Sequence, residues 1–152
     1  MEVRKAGIED INILIKLRLD FLSTFFGTLS PDDEASIRLQ LPSYFKKHIN
    51  QEFLAILVEV DNKIASTAFL SISEKPASPS FITGKTGTLL NVLTYPEYKR
   101  MGFATKAVIK IIEEAKNLGV SSIDLSASAD GERLYEKLGF TKQECPEMRL
   151  RL

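Results

Sequence analysis

The spacing of apolar residues changes period several times along the chain, and each change marks an element. After Glu9-Asp10, the residues Ile11, Leu14, Ile15, Leu17, Leu22, Phe25 and Phe26 recur at helical spacing, which predicts an amphipathic helix ending near Gly27. Ser30-Pro31-Asp32-Asp33-Glu34 then places a capping serine, a proline at the first helical position and acids in the first turn, the start of a second helix. Pro42 is expected to split that helix. Phe53 to Val60 (FLAILVEV) and Lys63 to Ser73 (KIASTAFLSIS) are β-rich runs parted only by Asp61-Asn62, the pattern of an antiparallel hairpin. A loop follows at Lys75 to Ser80, and Thr86 to Thr94 reads as the fourth strand.

From Gly102 the period returns to that of a helix. Ala104, Ala107, Val108, Ile111, Ile112, Ala115 and Leu118 share one face, with Gly119 as the stop signal. Ser121 to Leu125 reads as a strand, Ser128 to Leu138 as an amphipathic helix ended by Gly139, and Glu147 to Leu152 alternates like a final strand. With a short β-compatible stretch at residues 2 to 5, the predicted order is β-α-α-β-β-β-α-β-α-β-β. This is a mixed α/β sheet with an antiparallel front half and a strand-helix-strand unit behind it. One domain over residues 1–152 is expected, since no repeat or linker interrupts the pattern.

Composition narrows the function classes. Hydrophobic residues make up 44% of the 152 and charged residues 26%, which excludes a disordered chain. Lys and Arg total 20 against 20 Asp and Glu, so no basic excess drives binding to nucleic acid or to a membrane surface. A single cysteine, Cys145, excludes an internal disulfide framework, and no apolar run approaches the ~18 residues of a membrane span. A cytoplasmic placement is the expectation. His48 has no metal-binding partner at helical spacing and Cys145 no partner histidine motif, so no metal site is expected.

The segment LLNVLTYPEYKRMGFAT at residues 89 to 105 carries the candidate chemistry. An apolar strand runs into a proline-containing turn, two basic residues, a glycine and a small residue that opens a helix. The first N–H groups of a helix lack internal partners and sit at the positive end of its dipole, so they attract an anion in two ways. Gly102 lets the backbone approach closely, Ala104 adds little bulk, and Lys99 and Arg100 bring charge to the side from which a pyrophosphate would arrive. Gly84-Lys85-Thr86 ends like a phosphate-binding P-loop, but Pro79 stands where the upstream glycine is required and a strand follows, so that match fails.

This order and three local motifs resemble the GCN5-related N-acetyltransferase superfamily over nearly the whole chain. The family signature Arg/Gln-x-x-Gly-x-Gly/Ala is matched by Lys99-Arg100-Met101-Gly102-Phe103-Ala104, where Lys99 replaces Arg or Gln and keeps the charge. Leu134 to Phe140 (LYEKLGF) is similar to the segment that ends the family's acetyl-CoA site, and Glu147 to Leu152 looks like its last strand. Many relatives carry an asparagine and an alanine where this chain has Ser128 and Gly131. The resemblance implies the acyl-CoA N-acyltransferase fold, transfer of an acetyl group from acetyl-CoA to a primary amine of a small molecule or peptide, and homodimerisation. It assigns cofactor contacts to Val92 and Leu93, to Lys99, Arg100, Met101, Gly102, Phe103, Ala104 and Thr105 at the turn, and to Ser128.

Attack of an amine on a thioester needs a positioned donor, a deprotonated amine, oxyanion stabilisation and a proton for the departing thiolate. If the fourth strand splays from the fifth, as in the resembled family, free backbone groups around Val92 and Leu93 bond the pantetheine arm. Tyr135 is the candidate general acid. No base is identified. Glu59 and Asn91 are candidate pocket-wall groups, weighed against a solvated strand carboxylate and a cap for a neighbouring backbone group. The acceptor selector is expected to come from the first two helices and the loop at 74 to 84. The rival readings are a noncatalytic acyl-CoA-binding or regulatory module and another nucleotide-binding α/β protein.

Overall fold

The computed structural model describes residues 1–152. Its elements are β1 (Glu2–Lys5), α1 (Ile11–Phe26), α2 (Pro31–His48), β2 (Phe53–Val60), β3 (Lys63–Glu74), β4 (Lys85–Thr94), α3 (Phe103–Asn117), β5 (Ser122–Asp124) and α4 (Glu132–Lys137). Asp61 and Asn62 both have positive φ, 50° and 61°, the backbone that a two-residue hairpin turn matched to strand twist requires. They fold β3 back on β2. The sheet runs β1-β2-β3-β4-β5, antiparallel throughout except for the parallel β4–β5 pair that α3 connects.

Both faces of this sheet are covered, so the unbroken apolar run of β2 is buried from Phe53 to Val58. Phe53, Ala55 and Leu57 alternate onto the face packed by Leu14, Leu17, Leu41 and Phe45 of α1 and α2. Leu54, Ile56 and Val58 point the other way, against Ala107, Val108, Ile111 and Ala115 of α3. These four α3 residues are the inner part of the stripe read from the sequence.

Strand β4 breaks the alternation. Leu89 and Val92 pack on the α3 face while Leu90 and Leu93 pack on the α1/α2 face, which a period of two does not permit. The cause is a bulge. Phe69 pairs with Leu90 and Thr67 with Leu93, so Ala68 alone opposes both Asn91 and Val92. Asn91 occupies the left-handed region at φ 56°, which asparagine tolerates better than most residues. Its buried side chain donates from Nδ2 to the Leu17 carbonyl of α1 at 3.2 Å, the backbone-capping role weighed for it above. Ser66 Oγ donates to the Leu93 carbonyl at 2.9 Å, filling the gap that the bulge opens in the ladder.

Three expectations are corrected. Helix α2 runs unbroken through Pro42. The lost bond and ring clash cost about 3 kcal/mol, but Leu41 and Phe45 on either side are buried in the core and full burial of each stabilises by roughly 1.5–3 kcal/mol. The helix expected at Ser128 to Leu138 is shorter, with residues 128 to 131 forming a turn before it. Glu147 to Leu152 is not a strand, and neither is any other stretch after Lys137. Alternation reports which face would be buried, not whether a neighbouring backbone is there to pair. β5 is only three residues long, Pro146 lacks an N–H, and Met148, Leu150 and Leu152 are exposed.

The bulge generates a stability prediction. Asn91→Ala loses both tolerance of positive φ and the bond to the buried Leu17 carbonyl, and is expected to cost about 2–4 kcal/mol in urea unfolding. Asn91→Gly restores the backbone freedom alone and should recover about 1 kcal/mol of that loss. Equal costs for the two variants would mean that the left-handed conformation is not a constraint.

Candidate active site

Beyond Thr94 the chain turns through Tyr95 and the short 3-10 segment Pro96–Tyr98. Arg100 and Gly102 then take positive φ, 63° and 79°, and α3 begins at Phe103. Gly102 supplies no side-chain cap, and the first backbone bond into the helix runs from Lys106 N–H to its carbonyl at 3.1 Å. The amides of Phe103, Ala104 and Thr105 therefore stand ahead of the helical ladder. A Cβ on Gly102 would meet nothing within 4 Å, so the glycine is required by its φ, and the space in front of it is open. Lys99, Arg100 and Met101 are exposed beside it, and neither base is in an ion pair. Phe103 packs 6.3 Å from Tyr98, fixing the turn against the helix.

The bulge and the turn leave a wedge between β4 and β5. The two strands pair only at Thr86–Ser122, Gly87–Ile123 and Thr88–Asp124, so from Leu89 onward β4 has an uncovered edge. The Leu93 carbonyl faces β3, where Ser66 bonds it, and the Tyr95 N–H bonds Ala65 on the same side at 3.0 Å. Backbone groups of alternate residues point to opposite edges of a strand, which leaves those of Val92 and Thr94 on the open side. Val92 is thus brought to the wedge, while Leu93 has its carbonyl turned to β3 and its side chain buried. Thr94 likewise turns its backbone, not its side chain, to this edge; its Oγ1 bonds Ser66 at 2.8 Å.

Tyr135 borders the same cluster as Val92 and Phe103. Its half-buried ring meets Phe140 edge-on at 5.8 Å, and its hydroxyl forms no hydrogen bond within the chain. Burial pushes the phenol above its ordinary value, so the proton stays on Oη at neutral pH. A Cβ on Gly131 would lie 3.1 Å from the Tyr135 ring and 3.3 Å from Ser128 Oγ, a tight fit that would shift the ring by a few tenths of an ångström. Ser128 Oγ accepts from the Gly131 N–H at 3.2 Å, stabilising the turn that leads into α4.

On the opposite face α1 is fastened to β4 at two points. One is the Asn91–Leu17 bond; the other is Tyr95, whose hydroxyl donates to Asp20 at 2.5 Å while Lys16 Nζ lies 2.5 Å from the same carboxylate. Burial raises the Asp20 carboxyl, but the bonds from Lys16 and Tyr95 outweigh it and hold the group below its usual value. Arg18 reaches the bulge as well, donating from Nη1 to Asn91 Oδ1 at 3.3 Å. Glu59 is not a free base. It accepts from Arg4 at 2.9 Å, and Arg4 also binds the buried Asp10. The loop at 74 to 84 lies away from this region: Thr83 bonds the Gly119 carbonyl at 2.6 Å, just past the C-terminal end of α3. At 1.5 Å per residue the 15-residue helix separates that end from the Gly102 turn by roughly 22 Å.

A mixed sheet whose fourth and fifth strands part in front of an anion-attracting helix start defines an acyl-transferase type of architecture. Residues 16–140 match the acetyltransferase (GNAT) family, and the chain belongs to that family. Comparison with curated proteins returns no match. Among solved structures, a predicted acetyltransferase with acetyl-CoA from Clostridium acetobutylicum is 27% identical, with a TM-score of 0.83 over 97% of this chain and 95% of that one. A GCN5-related N-acetyltransferase from Ralstonia eutropha JMP134 shares the fold at 17% identity and a TM-score of 0.81, covering 98% and 97% of the two chains. Glucosamine-6-phosphate N-acetyltransferase from Arabidopsis thaliana does so at 21% identity and 0.69, covering 98% and 97%.

Proposed function

We propose that this protein transfers an acetyl group from acetyl-CoA to a primary amine of a small molecule or peptide. The observation that carries the reading is convergence: Phe103 at the start of α3, Val92 on the part of β4 that β5 leaves unpaired, and Tyr135 of α4 all pack against one apolar cluster. The acetyl-CoA in the 27% identical Clostridium structure supports the choice of donor. Bound acetyl-CoA supplies an activated acyl group as a thioester. The chain's own part is to hold and polarise it. Amides of Gly102 to Thr105, with Lys99 and Arg100, grip the diphosphate; charge-assisted bonds of this kind are about twice as strong as neutral ones. The Val92 and Thr94 backbone groups bond the extended arm as a missing strand would, which fixes the acyl end beside the bulge. Tyr135 holds a proton at Oη for the departing sulfur, and its raised pKa keeps that proton in place across the neutral range.

Thiol release from acetyl-CoA, followed across a panel of amines, tests the reading. Acceptor-dependent release is expected; tight binding of coenzyme A with no release for any amine would favour the noncatalytic module. Gly102→Val should weaken coenzyme A binding more than about 10-fold in calorimetry, while the left-handed φ costs about 1–2 kcal/mol of stability. Retained affinity would remove the diphosphate from this turn. Tyr135→Phe is expected to lower kcat by about 100-fold and leave acetyl-CoA affinity within about 3-fold, since a general acid acts in the transition state. Its remaining activity should also lose any decline with pH on the alkaline side. Unchanged turnover would end the acid assignment.

A further inference from the structure

We propose that the amine accepted at this site carries an anionic group, a carboxylate or a phosphate, which the Arg18 guanidinium binds. The inference rests on the acetyltransfer reading above and names the class of acceptor. Arg18 lies on the α1 face that meets β4 at the bulge, and its Nη1 donates to Asn91 Oδ1 at 3.3 Å. Val92, the next residue of β4, has its backbone on the uncovered edge where the acyl end is held. The guanidinium therefore lies against the residue that precedes Val92 in β4.

Its bonding is incomplete. A guanidinium has five N–H donors in a fixed fork that fits carboxylate or phosphate oxygens in pairs. Only one of the five finds an acceptor within the chain, the Asn91 amide oxygen, and no carboxylate lies in ion-pairing range. Burial pushes Arg18 below its ordinary value, with Tyr44 of α2 alone opposing. Arg4 shows how this chain treats a half-buried arginine that serves the fold, since it binds both Asp10 and Glu59. A desolvated cation without a counter-ion gains most from one brought by a ligand.

The surroundings fit a small acceptor. Arg18, Phe21 and Phe25 follow at i, i+3 and i+7 on one face of α1. The Arg18 Cζ sits 5.9 Å from the Phe21 ring centroid, and Phe21 stacks on Phe25 at 5.7 Å. Phe25 remains half exposed, so an apolar shelf leads from solvent to the charge.

Matched amines separate this proposal from a purely structural Arg18. Thiol release is measured for phenylalanine against phenethylamine and for O-phosphoethanolamine against ethanolamine, in the wild type, Arg18→Gln and Arg18→Lys. The wild type is expected to favour the anionic member in kcat/KM, and the pair with the larger ratio assigns carboxylate or phosphate. Arg18→Gln should reduce that ratio by about 10- to 100-fold, the worth of hydrogen bonds to a charged group, and Arg18→Lys should restore part of it. A structural role would lower both members of a pair together. An unmoved ratio in Arg18→Gln, or a wild type that favours the neutral amines, overturns the proposal and leaves acetyl transfer standing. Thiol release with no amine at all overturns both.

Discussion

The extra residue in β4 governs the arrangement of everything around the opening. Because Asn91 and Val92 together face a single partner on β3, the strand changes which side chains it sends to each helix layer. Without that slip Leu90 and Val92 would share a face, and one would leave its apolar layer. Held in place by Leu17 and Ser66, the bulge lies on the stretch of β4 that the three-residue β5 leaves unpaired.

The cost of this arrangement falls on polar groups, and the chain meets it with short, specific bonds. Ser66, Thr67 and Asn91 are buried, and each has a backbone carbonyl as partner: Leu93, Ile56 and Leu17. No buried side-chain nitrogen or oxygen is left without one. An unpaired group of this sort costs about 1–3 kcal/mol, comparable to burying a large apolar side chain. A strand that departs from the regular ladder beside a core therefore needs hydroxyl and amide side chains at the departure, which is where these three residues stand.

Much of this was legible in the sequence, for reasons that differ by element. The α3 stripe from Ala104 to Ala115 and the run from Phe53 to Val58 carry strong periodic signals because each is buried by packing that repeats along its length. Asp61-Asn62 was legible because few residues accept the positive φ of a two-residue hairpin turn, whereas Gly102 was read as allowing close backbone approach and takes positive φ at the start of α3. The bulge was not, since a one-residue slip leaves composition and hydropathy of LLNVLT unchanged; only an asparagine in an apolar strand hinted at it. The tail failed for the converse reason: the alternation of Glu147 to Leu152 is genuine, but pairing depends on a neighbour that no local pattern encodes. Arg18 was hidden inside the helical period of α1, where a basic residue ordinarily marks the solvent side.

The two helix layers divide the labour around β4. α3 presents its start, with free amides and the bases Lys99 and Arg100, at one end of the unpaired stretch of β4; the proposed diphosphate grip there depends on main-chain geometry. α1 presents side chains, Arg18 and the Phe21–Phe25 pair, to the other face of the same strand. A main-chain site suits a ligand that never varies, because amides read charge and shape but little else. A side-chain site suits a ligand that distinguishes one enzyme from another, since single substitutions on α1 change its chemistry without disturbing the sheet. On the proposed reading, this division puts the donor end of the fold on β4 and α3 and concentrates acceptor choice in a few positions of α1.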